Sequence, residues 1–357
     1  MYQTTITERE AGQRFDKYLH RLLPGAGSSF LYKMLRKKNI TLNGKKAVGS
    51  EKTVAGDSVA IYFSDETLGK FMGAGATGDA ETTEFETGHN AERYTGKESD
   101  YMAAYHTLSG IQVLYENDHI LLADKPVGVL SQKAAKEDLS LNEWLIGYLL
   151  QNGAVTMADL IVYKPSVCNR LDRNTSGIVL CAKSLKGAQM LSELLKNRTL
   201  HKYYQLYVKG RISEEHLIEG FLMKDEKHNK VSVVPSDTNG AKQSKKSAGE
   251  PRGSYIRTAY KPLKAEEDKT LLEVELFTGK THQIRAHLAS IGHPLLGDYK
   301  YGDRAWNDIY QKKYHIRSQL LHAYKVVFPQ LEEPFEDISG KTFYAELPDV
   351  FCKISNE

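Results

Sequence analysis

The sequence predicts an α+β protein, with a large domain around a largely antiparallel mixed sheet and a small α+β module ahead of it. Three observations carry this expectation. From Ile111 onward, short β-rich runs alternate with a few helical patterns but never settle into a regular strand–helix repeat. Residues 1–64 read as a self-contained series of helix and hairpin signals studded with basic groups. Between the two, residues 65–107 become polar and acidic, with only scattered aromatics such as Phe71, Phe85 and Tyr94, which predicts a linker. At 357 residues and 41% apolar composition the chain is large enough for two domains with real cores.

Taken in order, the segment Arg14-Phe15-Asp16-Lys17-Tyr18-Leu19-His20-Arg21-Leu22-Leu23 has apolar residues at helical spacing. A second helix is expected after Pro24-Gly25, opened by a serine N-cap at Ser28-Ser29 and carrying Leu31, Met34 and Leu35 on one face. Ile40-Thr41-Leu42 then runs into Asn43-Gly44, a two-residue hairpin signal, and residues 56–63 supply a turn and a last strand. Six basic residues (Lys33, Arg36, Lys37, Lys38, Lys45 and Lys46) fall between Leu31 and Ser50 with no acidic residue among them. A charge run of this kind is ordinarily a solvated helix face, and it also suits phosphate contact.

The acidic stretch contains Gly73-Ala74-Gly75-Ala76-Thr77-Gly78, a literal GxGxxG. A dinucleotide site needs a strand ending at the first glycine and an amphipathic helix after the last. The last strand signal ends at Phe63 and the residues that follow are polar, so this is not read as a nucleotide site. Farther on, helical patterning covers residues 140–150, 188–196 and 281–290, the last with Gly292 as a stop. Strands are expected at 178–180, 204–208, 270–276 and 324–328. Residues 225–253, rich in Lys, Ser and Gly, read as an excursion between strands.

The net charge of +3 does not by itself identify a nucleic-acid binder. The three cysteines, Cys168, Cys181 and Cys352, have no metal-ligand spacing and suggest a reducing compartment. Cys168 has no neighbouring base and is read as a small buried hydrophobe. His282, His287 and His293 lack the four-residue spacing of a helical metal pair, so no metal is expected. The N-terminus carries no apolar leader and no apolar run is long enough for a membrane span, which predicts a cytoplasmic protein with no membrane partner.

The most informative string is Asn169-Arg170-Leu171-Asp172-Arg173-Asn174-Thr175-Ser176-Gly177, followed by the apolar run Ile178-Val179-Leu180. It sets a carboxylate between two guanidinium groups in a polar turn that feeds a buried strand, where cations or hydrogen-bond donors must hold its charge. An arbitrary Arg-Leu-Asp would be a turn with a surface ion pair. The whole string, however, resembles the HRLDxxTSG motif of the RluA-type pseudouridine synthases, with Asn169 in place of the usual histidine. Four further blocks are similar to that family in the same order: residues 113–128 with Lys125-Pro126-Val127-Gly128, residues 201–210 with Lys202-Tyr203-Tyr204, residues 278–298 with Thr281-His282-Gln283-Ile284-Arg285, and Gln319-Leu320-Leu321-His322-Ala323-Tyr324. The first 64 residues, two helices followed by a small sheet with the basic cluster at their junction, resemble an S4 RNA-binding domain.

The resemblance implies the pseudouridine synthase fold over residues 108–357, an S4-like domain over 1–64 and a linker over 65–107. It also implies an RNA-modifying isomerase that needs no cofactor, takes its uridine out of the stack, acts on large-subunit ribosomal RNA and works as a monomer. By the same resemblance Asp172 is the catalytic carboxylate, acting at C1′ or on a sugar proton. Tyr204 is the active-site tyrosine, Arg285 (with Lys280 as the alternative) is the cation beside Asp172, and Arg170 enters the RNA stack in place of the flipped base. The substitution at Asn169 removes a titratable group next to Asp172. Strand alternation already separates Tyr204 from Tyr203 and Tyr207, and guanidinium geometry favours Arg285 as the partner of a fixed carboxylate. The competing reading is a non-catalytic RNA-binding or ribosome-assembly protein on the same fold, which would have less reason to keep all three site residues. An S4-linked methyltransferase would require a glycine-rich cofactor loop that the sequence does not offer in context.

Overall fold

A computed structural model describes residues 1–8, 10–72, 88–225, 230–235 and 253–355, with the side chains of 88–97, 225 and 235 left aside. The chain divides into two compact units, one of residues 1–123, 129–170 and 179–193, the other of 124–128, 171–178 and 194–357.

The first unit opens with β1 (Tyr2–Thr5), a strand the sequence reading did not foresee, then α1 (Phe15–Leu22), α2 (Ser28–Arg36), β2 (Ile40–Leu42), β3 (Lys45–Lys46) and β4 (Ser58–Ile61). The strands form an antiparallel sheet in the order β1-β4-β2-β3. Phe15, Tyr18, Leu19 and Leu22 of α1, one face of a 3.6-residue period, share a core with Leu31 and Leu35 of α2 and with Ile40, Val59 and Ile61. Asn43 and Gly44, at φ of 51° and 69°, make the expected two-residue hairpin, whose left-handed positions suit Asn and Gly. One detail is corrected: α2 is capped by Gly27, with no side-chain bond, and Ser28 is already its first residue.

The segment expected as a linker, residues 65–107, carries a helix at each end. These are α3 (Asp65–Phe71) and α4 (Gly88–Thr107). Ser64 caps α3 by accepting the Thr67 N–H, and Leu68 and Met72 join the core of the N-terminal module. On α4, Tyr101 and Ala104 are buried, because residues three apart on a helix share a face even in a polar stretch. That face meets α5 (Leu141–Gln151), on which Gly147 lies so close to the Tyr101 carbonyl that a Cβ would overlap it. The Gly73–Gly78 string lies outside the described residues.

The chain continues with β5 (Gln112–Glu116), β6 (Ile120–Lys125), α5, α6 (Asp159–Val162), β7 (Ser166–Val167), β8 (Ser176–Ala182) and α7 (Leu185–Asn197). Ser140 caps α5 by accepting the Asn142 N–H at 3.3 Å, and its hydroxyl donates to the Glu143 carboxylate. The Asn169 side chain accepts the Leu180 N–H at 2.7 Å, tying the segment before the Asp172 turn to β8.

The second unit holds β9 (His201–Lys209), β10 (His216–Asp225), β11 (Lys230–Pro235), β12 (Ser254–Ala265), β13 (Lys269–Leu276), α8 (Gln283–Ser290), α9 (Arg304–Tyr314), β14 (Leu321–Val327), β15 (Thr342–Tyr344) and α10 (Asp349–Ser355). Its strands run β11-β10-β12-β13-β9-β14 in antiparallel order, and β15 adds to β14. The first residues of β8 pair parallel to β14, His322 opposite Ser176 and Ala323 opposite Gly177. The sheet is therefore large, mixed and mostly antiparallel, as expected. Part of the expected excursion at 225–253 is ordered: β11 pairs with β10 from Gly220↔Pro235 to Asp225↔Lys230, and most of the remainder lies outside the described residues. Among the described residues no helix is long and apolar enough to cross a membrane.

Candidate active site

The turn from Asp172 to Thr175 is built by its own backbone and by the segment 124–128. The Thr175 N–H donates to the Asp172 carbonyl at 3.0 Å, and Gly128 N–H donates to the Arg173 carbonyl at 2.9 Å. The Arg173 side chain returns to the Gly128 carbonyl at 3.0 Å. Lys125, fully buried, donates its Nζ to the carbonyls of Pro126 at 3.0 Å and Arg173 at 3.2 Å. Burial pushes the Lys125 ammonium down to about 7, with Asp172 and Asp124 pulling the other way. Behind the turn, Gly177 sits at φ +109° against the backbone of Ala323. Ser176 Oγ and His322 Nδ1 are 2.8 Å apart.

Neither guanidinium flanking Asp172 in sequence is recorded as its partner. Arg173 turns to Gly128, and Arg170 is exposed in the first unit. The cation comes from α8: Arg285 Nη1 donates to Asp172 Oδ2 at 2.9 Å. Lys280, the alternative, is exposed, and its backbone N–H is taken by Gln283 Oε1 at 3.1 Å. Arg285 makes its bidentate pair with a different carboxylate. Arg285 Nε and Nη2 donate to Asp298 Oδ2 and Oδ1 at 2.7 and 3.0 Å. The Asp298 carboxylate is 0% exposed, whereas that of Asp172 is 27% exposed. Burial works against the Asp298 charge, yet Arg285 and the N–H groups of Lys300 and Tyr301 hold its pKa below the usual carboxylate range. Burial also opposes the Arg285 charge, and Asp298 followed by Asp172 outweighs it. One guanidinium thus stands on a buried anchor and extends a single donor to a carboxylate that solvent can reach.

The start of α8 is positioned by a buried glutamine. Gln283 Nε2 donates to the Arg257 carbonyl and Thr258 Oγ1 at 3.1 and 3.0 Å, and Thr278 Oγ1 donates to Gln283 Oε1 at 2.8 Å. His282, the N-cap at φ 54°, has its Nε2 3.8 Å from Asp172 Oδ2. The three histidines considered for a metal have separate partners: His282 Nδ1 with Tyr301, His287 Nδ1 with Thr258 and His293 Nδ1 with the Lys209 carbonyl. Among the described residues no group of metal-ligating side chains converges.

Tyr204 is buried on β9 opposite Val274 of β13. Its strand neighbours face elsewhere, Tyr203 beneath Lys325 Nζ at 3.9 Å and Tyr207 against Phe351. Burial and then the Asp172 charge push the Tyr204 hydroxyl upward, so it is a neutral donor at neutral pH. Asp172, Arg285 and Tyr204 all belong to the second unit. Lys33, Arg36, Lys37, Lys38, Lys45 and Lys46 are all exposed in the first. Burial raises the Cys168 thiol to about 11, the opposite of what an activated thiolate needs. Sequence reasoning missed Asp298 as the anchor and Lys125 and His282 as neighbours of Asp172. Both Asp298 and Lys125 sit in the recognised blocks, and only burial distinguishes them from surface charges.

Residues 119–290 match the family described as RNA pseudouridylate synthase. The chain is 29% identical over 339 residues to the ribosomal large subunit pseudouridine synthase C of Vibrio vulnificus, covering 93% of this chain and 90% of that protein. It is 28% identical over 329 residues to an uncharacterized RNA pseudouridine synthase of Mycoplasma genitalium, covering 92% and 89%. Among solved structures, the human RNA pseudouridylate synthase domain containing 4 shares its fold, at a TM-score of 0.53 and 21% identity over 72% of this chain and 95% of that one.

Proposed function

We propose that this chain is an RNA pseudouridine synthase of the RluA type, an isomerase that converts uridine to pseudouridine in RNA, and that it modifies large-subunit ribosomal RNA with Asp172 as the reacting carboxylate. The relatives named for the ribosomal large subunit support that substrate, which would put its work in the cytoplasm. The observation that carries the assignment of Asp172 is its pairing with Arg285: a partly exposed carboxylate fixed at 2.9 Å by a guanidinium that is itself anchored on buried Asp298.

The proposed reaction begins with the target uridine leaving its stack, with the exposed Arg170 filling the vacated place. Asp172 acts at C1′ or removes a sugar proton, the glycosidic bond breaks, and the base turns to present C5 to C1′. Arg285 holds the carboxylate in place, which a fixed ion pair does without reorganising during the reaction. The Tyr204 ring supports the uracil, a stack worth about 1–3 kcal/mol, and its hydroxyl assists loss of the C5 proton. The exposed lysines and arginine of the N-terminal module, in an S4-like role, contact phosphates.

Asp172→Asn keeps size and removes charge. Turnover on ribosomal RNA should fall below detection while RNA affinity survives, as read by pseudouridine mapping and a binding titration. Near wild-type turnover by the purified variant would sink the assignment. Mapping pseudouridines in RNA from cells with and without the gene tests the substrate separately.

A further inference from the structure

The hydrogen bonds around Tyr301 favour one tautomer of His282. The Val231 N–H of β11 donates to the Tyr301 hydroxyl oxygen at 3.0 Å. That oxygen lies 2.9 Å from His282 Nδ1. A phenol has one proton to give, and no other side-chain acceptor is recorded for it among the described residues. Giving that proton to Nδ1 satisfies both side chains, and a neutral imidazole with Nδ1 as acceptor carries its hydrogen on Nε2. The ring is held edge-on to Tyr301, with centroids 5.5 Å apart, and Arg285 covers the same phenol ring at 5.2 Å.

Nε2 points toward Asp172 Oδ2 across 3.8 Å. That separation is too long for a direct hydrogen bond, and it leaves the donor available to an oxygen shared with Asp172. Asp172 and Asp298 favour a charged ring; burial first, then Arg285 and Lys300, oppose it, and the balance falls below the ordinary histidine value. His282 is thus neutral at neutral pH, and its Nε2–H is a donor of fixed direction.

We propose that His282 is a further residue of the reaction, set by Tyr301 as the Nε2–H tautomer, which donates to an oxygen of the target nucleotide seated against Asp172. The proposal rests on the reading of Asp172 as the reacting carboxylate. It separates from that reading because the tautomer can be measured without any turnover.

The first measurement is the long-range nitrogen–proton spectrum of the full chain labelled with ¹⁵N-histidine, assigned with His282→Gln. The Nε2–H pattern is expected in the free protein, with Tyr301→Phe giving a mixture; an Nδ1–H pattern overturns the proposal. The second is the single-turnover rate of His282→Gln, whose amide nitrogen can stand where Nε2 stood, against His282→Asn, whose shorter amide cannot. Asn should slow the step by about 10²-fold and Gln by no more than about tenfold, with RNA affinity unchanged in both. Equal losses in Gln and Asn, or a loss confined to affinity, overturn it. Thermal unfolding of both variants shows that each is folded. An active Asp172→Asn alongside the expected tautomer would instead reject the reading of Asp172.

Discussion

Two regions of this protein gather cations, and they do it by opposite means. In the N-terminal module six lysine and arginine side chains between Lys33 and Lys46 stand exposed on α2 and the β2–β3 hairpin. Around Asp172 a single guanidinium is buried, and its donors are divided between two carboxylates at 2.7 to 3.0 Å. The exposed group acts by number: each cation is screened and mobile, and together they make an attractive surface for phosphates. The buried group acts by position, because removing either Arg285 or Asp298 deprives the other of its partner where solvent cannot reach it. Variants that remove charge should therefore have unlike consequences in the two places.

The largest effect should come from Asp298→Ala. Arg285 would lose its bidentate partner while remaining buried, which costs on the order of 3–5 kcal/mol. Urea denaturation should show the midpoint falling accordingly, with Asp298→Asn less affected. An unchanged midpoint would mean that Arg285 does not depend on this anchor. Next comes Tyr204→Phe, which keeps the ring and loses the hydroxyl: turnover should drop by about 10²-fold with RNA binding nearly normal. Tyr204→Ala should be defective in both. If Phe is fully active and Ala merely unfolds the protein, Tyr204 is packing only.

Acid should weaken the second unit through its buried histidines. Burial holds His287 and His322 each at about 4 in the folded state, against an ordinary value near 6.5. Between those values the unfolded chain binds more protons than the folded one, so stability rises with pH. The contribution is complete above about 6.5 and is lost as pH falls toward 4, at no more than about 1.4 kcal/mol per pH unit for each histidine. Urea titrations at pH 7, 5.5 and 4.5 measure it, and a flat profile would contradict it. The smallest effect on stability, within about 0.5 kcal/mol, is expected for Lys33→Ala, Arg36→Ala and Lys37→Ala combined. The same triple variant should bind RNA more weakly, with a salt slope shallower by about 2. An unchanged slope would remove the module as a phosphate anchor.

What could be read from residues alone follows the same division. Local features were legible because their causes are local. The Asn43-Gly44 hairpin, the apolar face of α1, the helical run at 140–150 and the runs that became β8, β9 and β13 each depend on a few neighbouring residues. The pairing of Arg285 with Asp172 was legible through motif resemblance. Asp298 was not, because its part depends on having no solvent contact, and an aspartate in a Gly-Asp turn looks the same whether buried or exposed. Helix α4 was hidden for a related reason: Tyr101 and Ala104 find their partner face on α5, and the polar average of the stretch says nothing about that face. Strand β11 sits in a segment whose lysines, serines and glycines suggest a loop, yet Lys230–Pro235 pairs along β10.

Gly177 bears on any attempt to transplant this chemistry to another scaffold. Its missing side chain lets the residue five places after Asp172 lie directly on the Ala323 backbone, where any Cβ would overlap the carbonyl oxygen. The smallest portable unit is therefore not the nine-residue motif alone. It is that motif together with the length of β14 it rests on, grafted as a pair with their mutual spacing preserved.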